Sequence, residues 1–399
     1  MAEVDWLENL EITAETLAVS PAGQLYVGGM PSPATKESGA VLSQYDVNGQ
    51  QQWQQTLPLA AGSTTTHLTI AGDCIYALGT VPVQTTPHQT TPDQNIPFPT
   101  TPPAKATQTE VWLAEYNRAG EQQWLHKLRS VSPQQPDSLV VDGQGFLYIA
   151  GHTTPEDKAA EGWLAKYDPD GDRLWQTALG NYSHPLPLRL WLGEDPTART
   201  KFARIAVYTA GSTAMPLALP PGAQPDEAAD EVHQSWLARY SSEGIQRWIT
   251  ALGPTPEIYC TALTTDANHH LYVAGQADKT DAMAVGPWLA QYDAQGQPAW
   301  QTTLNQEPQQ AIAGLIATPT GLTLLGLSPT GQVWLAKGNA EGKLTEPVTL
   351  AIEMPVAKIK GVVAIAADQD ENVTVKGIAL LGQTQTATGV QHWLARVSL

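Results

Sequence analysis

Apolar residues along this chain come in short runs, broken at brief intervals by clusters of Asp, Asn, Ser, Pro and Gly. The segment LVV–DGQG–FLYIAG (139–151) shows the pattern clearly: an apolar run, an Asp-Gly turn and a second apolar run. The segment WLAKY–DPDG–DRLWQTAL that follows from Trp163 repeats the arrangement with aromatic residues at its ends. Short runs rich in β-branched and aromatic residues, punctuated by turn formers, predict strands joined as hairpins. Helical periodicity is absent along the chain.

Both hairpins recur. The first returns at 17–29, 68–79 and 263–275, in degenerate form at 315–326, and in runs ending at Gly211 and Gly382. The second reads Trp-Leu-Ala-x-Tyr-x-x-x-Gly-x-x-x-Trp from Trp112 to Trp124, Trp163 to Trp175, Trp236 to Trp248 and Trp288 to Trp300, the second Trp standing 12 positions after the first each time. The first copy has Val41 and Trp53 at those places, and the sixth has Trp334 and Glu346. A glycine at Gly49, Gly120, Gly171, Gly244, Gly296 and Gly342 fits a turn position with positive φ. The seventh copy starts at Trp393 and stops at Leu399, and its missing half, DWLENL with Trp6, stands at the other end of the sequence. Twelve of the thirteen Trp fall on these two repeat positions, Trp191 being the exception.

Four strands per unit and seven units predict an all-β, seven-bladed β-propeller with four antiparallel strands per blade. The blades are expected at about 14–57, 64–129, 135–180, 184–252, 258–304, 310–350 and 360–399, the last completed by 4–11. The N-terminal strand then closes the ring by pairing with the C-terminal blade, with Trp6 and Trp393 as closure residues. The Trp pairs are read as packing residues, each able to bury on the order of 150–250 Å².

With Trp-Leu-Ala-x-Tyr-Asp-x-x-Gly-x-x-x-Trp and Leu-Tyr-Val-Ala-Gly on the page, nearly the whole chain resembles the SBBP-repeat family of bacterial β-propellers. It is also distantly similar to the quinoprotein (PQQ-like) repeat, which shares the Asp…Gly…Trp turn. The resemblance implies the fold and is nearly silent on activity. Its members are often surface-exposed or secreted, and this sequence departs from that habit by showing no export signal.

Composition narrows the field. A 42% hydrophobic content fits a globular chain, and a net charge of −18 with a pI near 4.8 argues against nucleic acid and anionic membranes. No segment suits a membrane span, so no membrane insertion is expected. The two cysteines, Cys74 and Cys260, lie in strand-like runs and are expected as buried free thiols. The first residues, MAEVDWLENLEI, lack the form of a signal peptide. Cytoplasmic residence is the default expectation, with a virion or a non-classically secreted particle as the alternative.

Catalytic motifs are missing: there is no Gly-x-Ser-x-Gly, phosphate loop, HExxH or Cys-x-x-Cys. His269-His270 fall in a predicted turn, and Asp168-Pro-Asp-Gly-Asp172 resembles half a calcium loop but matches the turn of other units. No metal site, catalytic set or cofactor is therefore assigned. Two long connections stand out, at 80–110 and 212–235, both between the second and third strands of their units and so on one face. Thr85, Thr86, Pro87, Pro97, Phe98, Pro99, Met215, Leu217 and Leu219 are their candidate partner contacts. His152, Tyr182, His184, Glu257 and Tyr259 are candidates for a pocket at the axis on that face. The expectation is a non-enzymatic protein-binding module or structural subunit. The alternatives are a glycan-binding propeller and an axial-pocket lyase or hydrolase.

Overall fold

The computed structural model describes residues 2–32, 38–82, 109–128, 134–153, 160–182, 187–195, 204–214, 233–252, 258–277, 286–304, 311–318, 321–352, 354–367, 374–387 and 389–399. The strands β1 (Glu3–Leu10), β2 (Ile12–Val19), β3 (Leu25–Pro31), β4 (Val41–Tyr45) and β5 (Gln51–Thr56) come first. Then follow β6 (Thr64–Ala71), β7 (Cys74–Pro82), β8 (Thr109–Asn117), β9 (Gln122–Leu128), β10 (Gln134–Val141), β11 (Leu147–Thr153), β12 (Ala160–Tyr167) and β13 (Arg173–Tyr182). Next are β14 (Arg189–Glu194), β15 (Ile205–Ala214), β16 (His233–Ser241), β17 (Gln246–Ala251), β18 (Ile258–Thr265), β19 (Leu271–Ala277), β20 (Gly286–Tyr292) and β21 (Pro298–Thr303). The last are β22 (Ala311–Thr318), β23 (Gly321–Leu327), β24 (Val333–Gly338), β25 (Val348–Thr349), β26 (Lys358–Ala367), β27 (Thr374–Thr386) and β28 (Gly389–Ser398).

They form seven four-stranded sheets: six of consecutive strands from β2–β5 to β22–β25, and a seventh in the order β1-β28-β27-β26. All pairings are antiparallel, and the inner strands β2, β6, β10, β14, β18, β22 and β26 each touch the next, β26 returning to β2. The all-β, seven-bladed propeller expected from the repeats is the fold. Its core is not one mass but a set of clusters between neighbouring blades, such as Tyr208 and Leu237 of the fourth against Ile258, Val273 and Trp288 of the fifth.

Each repeat Trp has its own glycine. The first Trp of the motif stands opposite a glycine in the second strand: Trp112 faces Gly79, Trp163 faces Gly151 and Trp236 faces Gly211. A Cβ on those glycines would come within 2.6, 2.6 and 2.7 Å of the indole, so the side-chain-free backbone is what admits the ring. The second Trp reaches over the outer turn of the next blade, Trp53 onto Gly120 and Trp6 onto Gly49. Its indole N–H donates to a carbonyl in that turn, Trp6 to Val47 at 3.0 Å, Trp53 to Arg118 at 3.2 Å and Trp248 to Ala294 at 2.9 Å.

Closure runs through β1. Trp6 pairs with Arg396, Leu7 with Ala395 and Asn9 with Trp393. The Arg396 guanidinium donates to the same Val47 carbonyl at 3.1 Å, and the Ser398 hydroxyl contacts the Asp5 carboxylate at 2.7 Å. Two ends of the sequence are thus held by ladder bonds and polar contacts together.

Candidate functional site

The first and third strands of a blade begin, and the second and fourth end, on the same face of the disc. On that face each inner strand enters the sheet beside the channel. Six of the seven carry an irregularity there, with one unpaired residue: Glu15 in β2, Thr66 in β6, Asp137 in β10, Thr261 in β18, Ala313 in β22 and Lys360 in β26. A β-bulge bends the strand and re-aims a side chain that strict alternation would place between blades. Strand β14 keeps regular pairing and offers Arg189 at its first position. Five of the six bulge residues are polar or charged.

These residues meet across blade boundaries. Lys360 of the last blade binds Glu15 of the first at 2.6 Å. His67, which follows Thr66, places Nε2 2.8 Å from the Asp137 carbonyl and Nδ1 3.0 Å from the Thr66 hydroxyl. The carbonyl can only accept, so Nε2 carries the proton. Burial drives the His67 pKa down to about 4; the Asp137 carbonyl resists this and the Arg189 charge adds to it. The Asp137 carboxylate, 7% exposed, holds His152 Nδ1 at 2.8 Å. A carboxylate oxygen accepts, so His152 Nδ1 is the donor of this bond. Arg189 starts the innermost strand of the fourth blade, and its charge acts on His67 of the second blade and on Cys260 of the fifth. Its Nε is buried without a hydrogen-bond partner among the described residues. Burial pushes the Cys260 thiol up to about 12, which makes it a packing group and not a nucleophile.

The structure places the sequence candidates unevenly. His152 is at the end of β11 and belongs to the cluster; Tyr259 is in β18, next to Cys260. Tyr182 is in β13, but its side chain, like His184 and Glu257, lies outside the described residues. So do Thr85, Thr86, Pro87, Pro97, Phe98, Pro99, Met215, Leu217 and Leu219. Sequence reasoning missed Glu15, His67, Asp137, Arg189 and Lys360. The signal was available as a column: Glu15, Thr66, Asp137, Thr261 and Ala313 each stand two residues before a leucine of the inner strand, Leu17, Leu68, Leu139, Leu263 and Leu315. The turn at Asp168 is a capped β-turn, its carboxylate accepting from the backbone of Asp170 and Asp172 at 3.1 and 2.8 Å.

No family model matches the chain, and no curated protein matches it in sequence. The resemblance to SBBP and quinoprotein repeats therefore stays one of motif. Among solved structures the chain is similar to an ulvan lyase, a polysaccharide lyase, bound to -[GlcA(1-4)Rha3S]-, at 11% identity and a TM-score of 0.53, over 96% of this chain and 95% of that one. Two structures of puromycin hydrolase align at 13% identity and a TM-score of 0.49, over 93% of this chain; the chain spans 50% of the hydrolase. The expectation of a protein without catalytic activity is corrected by the lyase, an enzyme of this fold. Enzymes stand among the proteins whose fold this chain shares, and the missing linear motifs are no evidence against activity when a site is assembled from seven separate strands.

Proposed function

We propose that the channel mouth binds an acidic saccharide and that the Asp137–His152 pair moves a proton on it, as hydrolysis or elimination requires. The observations that support this are Arg189, a guanidinium whose Nε is buried without a partner among the described residues, and the His152–Asp137 pair at 2.8 Å. A planar guanidinium suits a carboxylate, and the hydroxyls of Thr66 and Thr261 and the carboxylate of Asp137 suit sugar hydroxyls. The ulvan lyase of similar fold was solved with a GlcA-containing saccharide, and that likeness extends to the fold alone.

The test is calorimetric titration with oligogalacturonates and with neutral maltooligosaccharides, alongside ultraviolet detection of unsaturated products and a reducing-end assay. The acidic series is expected to bind. Arg189→Gln should weaken it by about 10-fold or more, since a charge-assisted bond is worth roughly 1.5–3 kcal/mol. His152→Gln should stop turnover while leaving most of the binding. Equal binding of acidic and neutral series, or none of either, would rule the reading out.

A further inference from the structure

The seam between the last and first blades carries a second cluster. Lys360 is 10% exposed at its side chain and holds Glu15, which is 34% exposed, at 2.6 Å. His392 of β28, on the third strand of the same blade as Lys360, is 6% exposed, and its Nδ1 is buried without a partner among the described residues. Its pKa is lowered, first by burial and then by the Lys360 charge, with Glu15 acting in the opposite sense. Both charged groups thus act on the His392 imidazole.

The three side chains come from β26, β2 and β28, and no local stretch of sequence joins them. A buried imidazole nitrogen with no partner costs free energy unless something bonds to it. An ammonium has three donors, and Glu15 takes one of them. The cluster therefore offers hydrogen-bonding capacity beyond what its own ion pair uses. Its place in the ring adds a geometric fact. Lys360 belongs to the seventh blade and Arg189 to the fourth, three blades apart in a ring of seven, which is as far across the channel as two blades can be.

We infer that Lys360, Glu15 and His392 form a second subsite across the channel from Arg189, and that the ligand is an oligosaccharide with acid groups on two of its sugar units. This rests on the reading of the mouth as a sugar-acid site. One carboxylate meets Arg189, and a second shares the Lys360 ammonium with Glu15. His392 meets a hydroxyl of the sugar at that end. A ligand with one acid group uses only half of the arrangement.

Calorimetry on the full chain with galacturonate, digalacturonate and trigalacturonate tests it. The wild-type protein is expected to bind the di- or trimer at least tenfold more tightly than the monomer. Lys360→Met should abolish that gain and leave monomer binding unchanged, and Lys360→Arg should retain it. Arg189→Gln should weaken all three. If Lys360→Met leaves the oligomer-to-monomer ratio at its wild-type value, or weakens monomer and oligomers equally, the second subsite is wrong while the first stands. If the wild-type protein binds none of the three, the sugar-acid reading of the mouth falls and this inference with it. Should Lys360→Met melt below the wild type, the pair Lys360→Met with Glu15→Gln removes both charges and is read by the same ratio.

Discussion

His67 is a neutral imidazole in the folded protein, and its environment says why: burial opposes the charged form and the nearby Arg189 adds to that. The consequence for stability follows from linkage. The folded pKa, about 4, is below the ordinary 6.5, so as pH falls the unfolded chain takes up the proton first. Stability from this group is therefore fully present above pH 6.5 and is lost as pH drops toward 4. The loss is on the order of 2 kcal/mol after allowance for the partial exposure of the residue. Urea denaturation at pH 7 and pH 4.5 should show His67→Gln losing less on acidification than the wild type. An equal loss in both would place the dependence elsewhere, for instance at His392, whose pKa is shifted in the same direction. A second contrast tests the indole seats. A Cβ at Gly151 would lie 2.4 Å from the Gln135 carbonyl and 2.6 Å from Trp163, whereas at Gly143 it meets nothing within 4 Å. Gly151→Ala should cost about 1–3 kcal/mol or more, and Gly143→Ala should be close to neutral by the same denaturation measurement.

At the scale of strands, what could be read in advance was what repeats. Hairpins such as 139–151 announce themselves through apolar runs, a turn and a closing glycine, all local features. The bulges did not, because an unpaired residue is a property of register between two strands. Asp137 looks like an ordinary polar residue until Pro136 is seen opposite Gly151 and Ser138 opposite Ala150. Arg189 was invisible for a related reason: the groups its charge acts on, His67 and Cys260, come from the second and fifth blades. The closing strand was legible because half a repeat stood at each end of the sequence. It also yields a graded prediction. Trp393 is fully buried, and Trp6 is partly exposed over Gly49. Trp393→Ala should cost about 3–5 kcal/mol, and Trp6→Ala about 2 kcal/mol for its smaller burial. A Trp6→Ala loss as large as that of Trp393→Ala would mean that β1 detaches as a unit.

For the ring as a whole, the sixth blade breaks a rule that the others keep, and the break has a physical cause. Trp6, Trp53, Trp124, Trp175, Trp248 and Trp300 each lie over the outer-turn glycine of the following blade, Gly49, Gly120, Gly171, Gly244, Gly296 and Gly342. The seventh partner would be a turn between β28 and β1, but those strands are not consecutive in the chain, so no turn links them. Where that Trp would stand the sequence has Glu346, exposed beside the two-residue strand β25. Ile352 and Met354, from the segment after β25, instead pack against the apolar cluster between the sixth and seventh blades, as do Ala2, Val4 and Leu399. Glu346 then marks a position where an indole has nothing to cover, and the irregularity is set by topology. A double-mutant cycle tests this. Glu346→Trp in the native chain should give no stabilisation. In a circular permutant opened within residues 83–108, with Leu399 and Met1 joined by a turn containing Asp and Gly, the same substitution should stabilise. A coupling of about 1–2 kcal/mol is expected, within the range for residues in direct contact. If Glu346→Trp changes stability equally in both backgrounds, the missing turn is not the reason for the missing Trp.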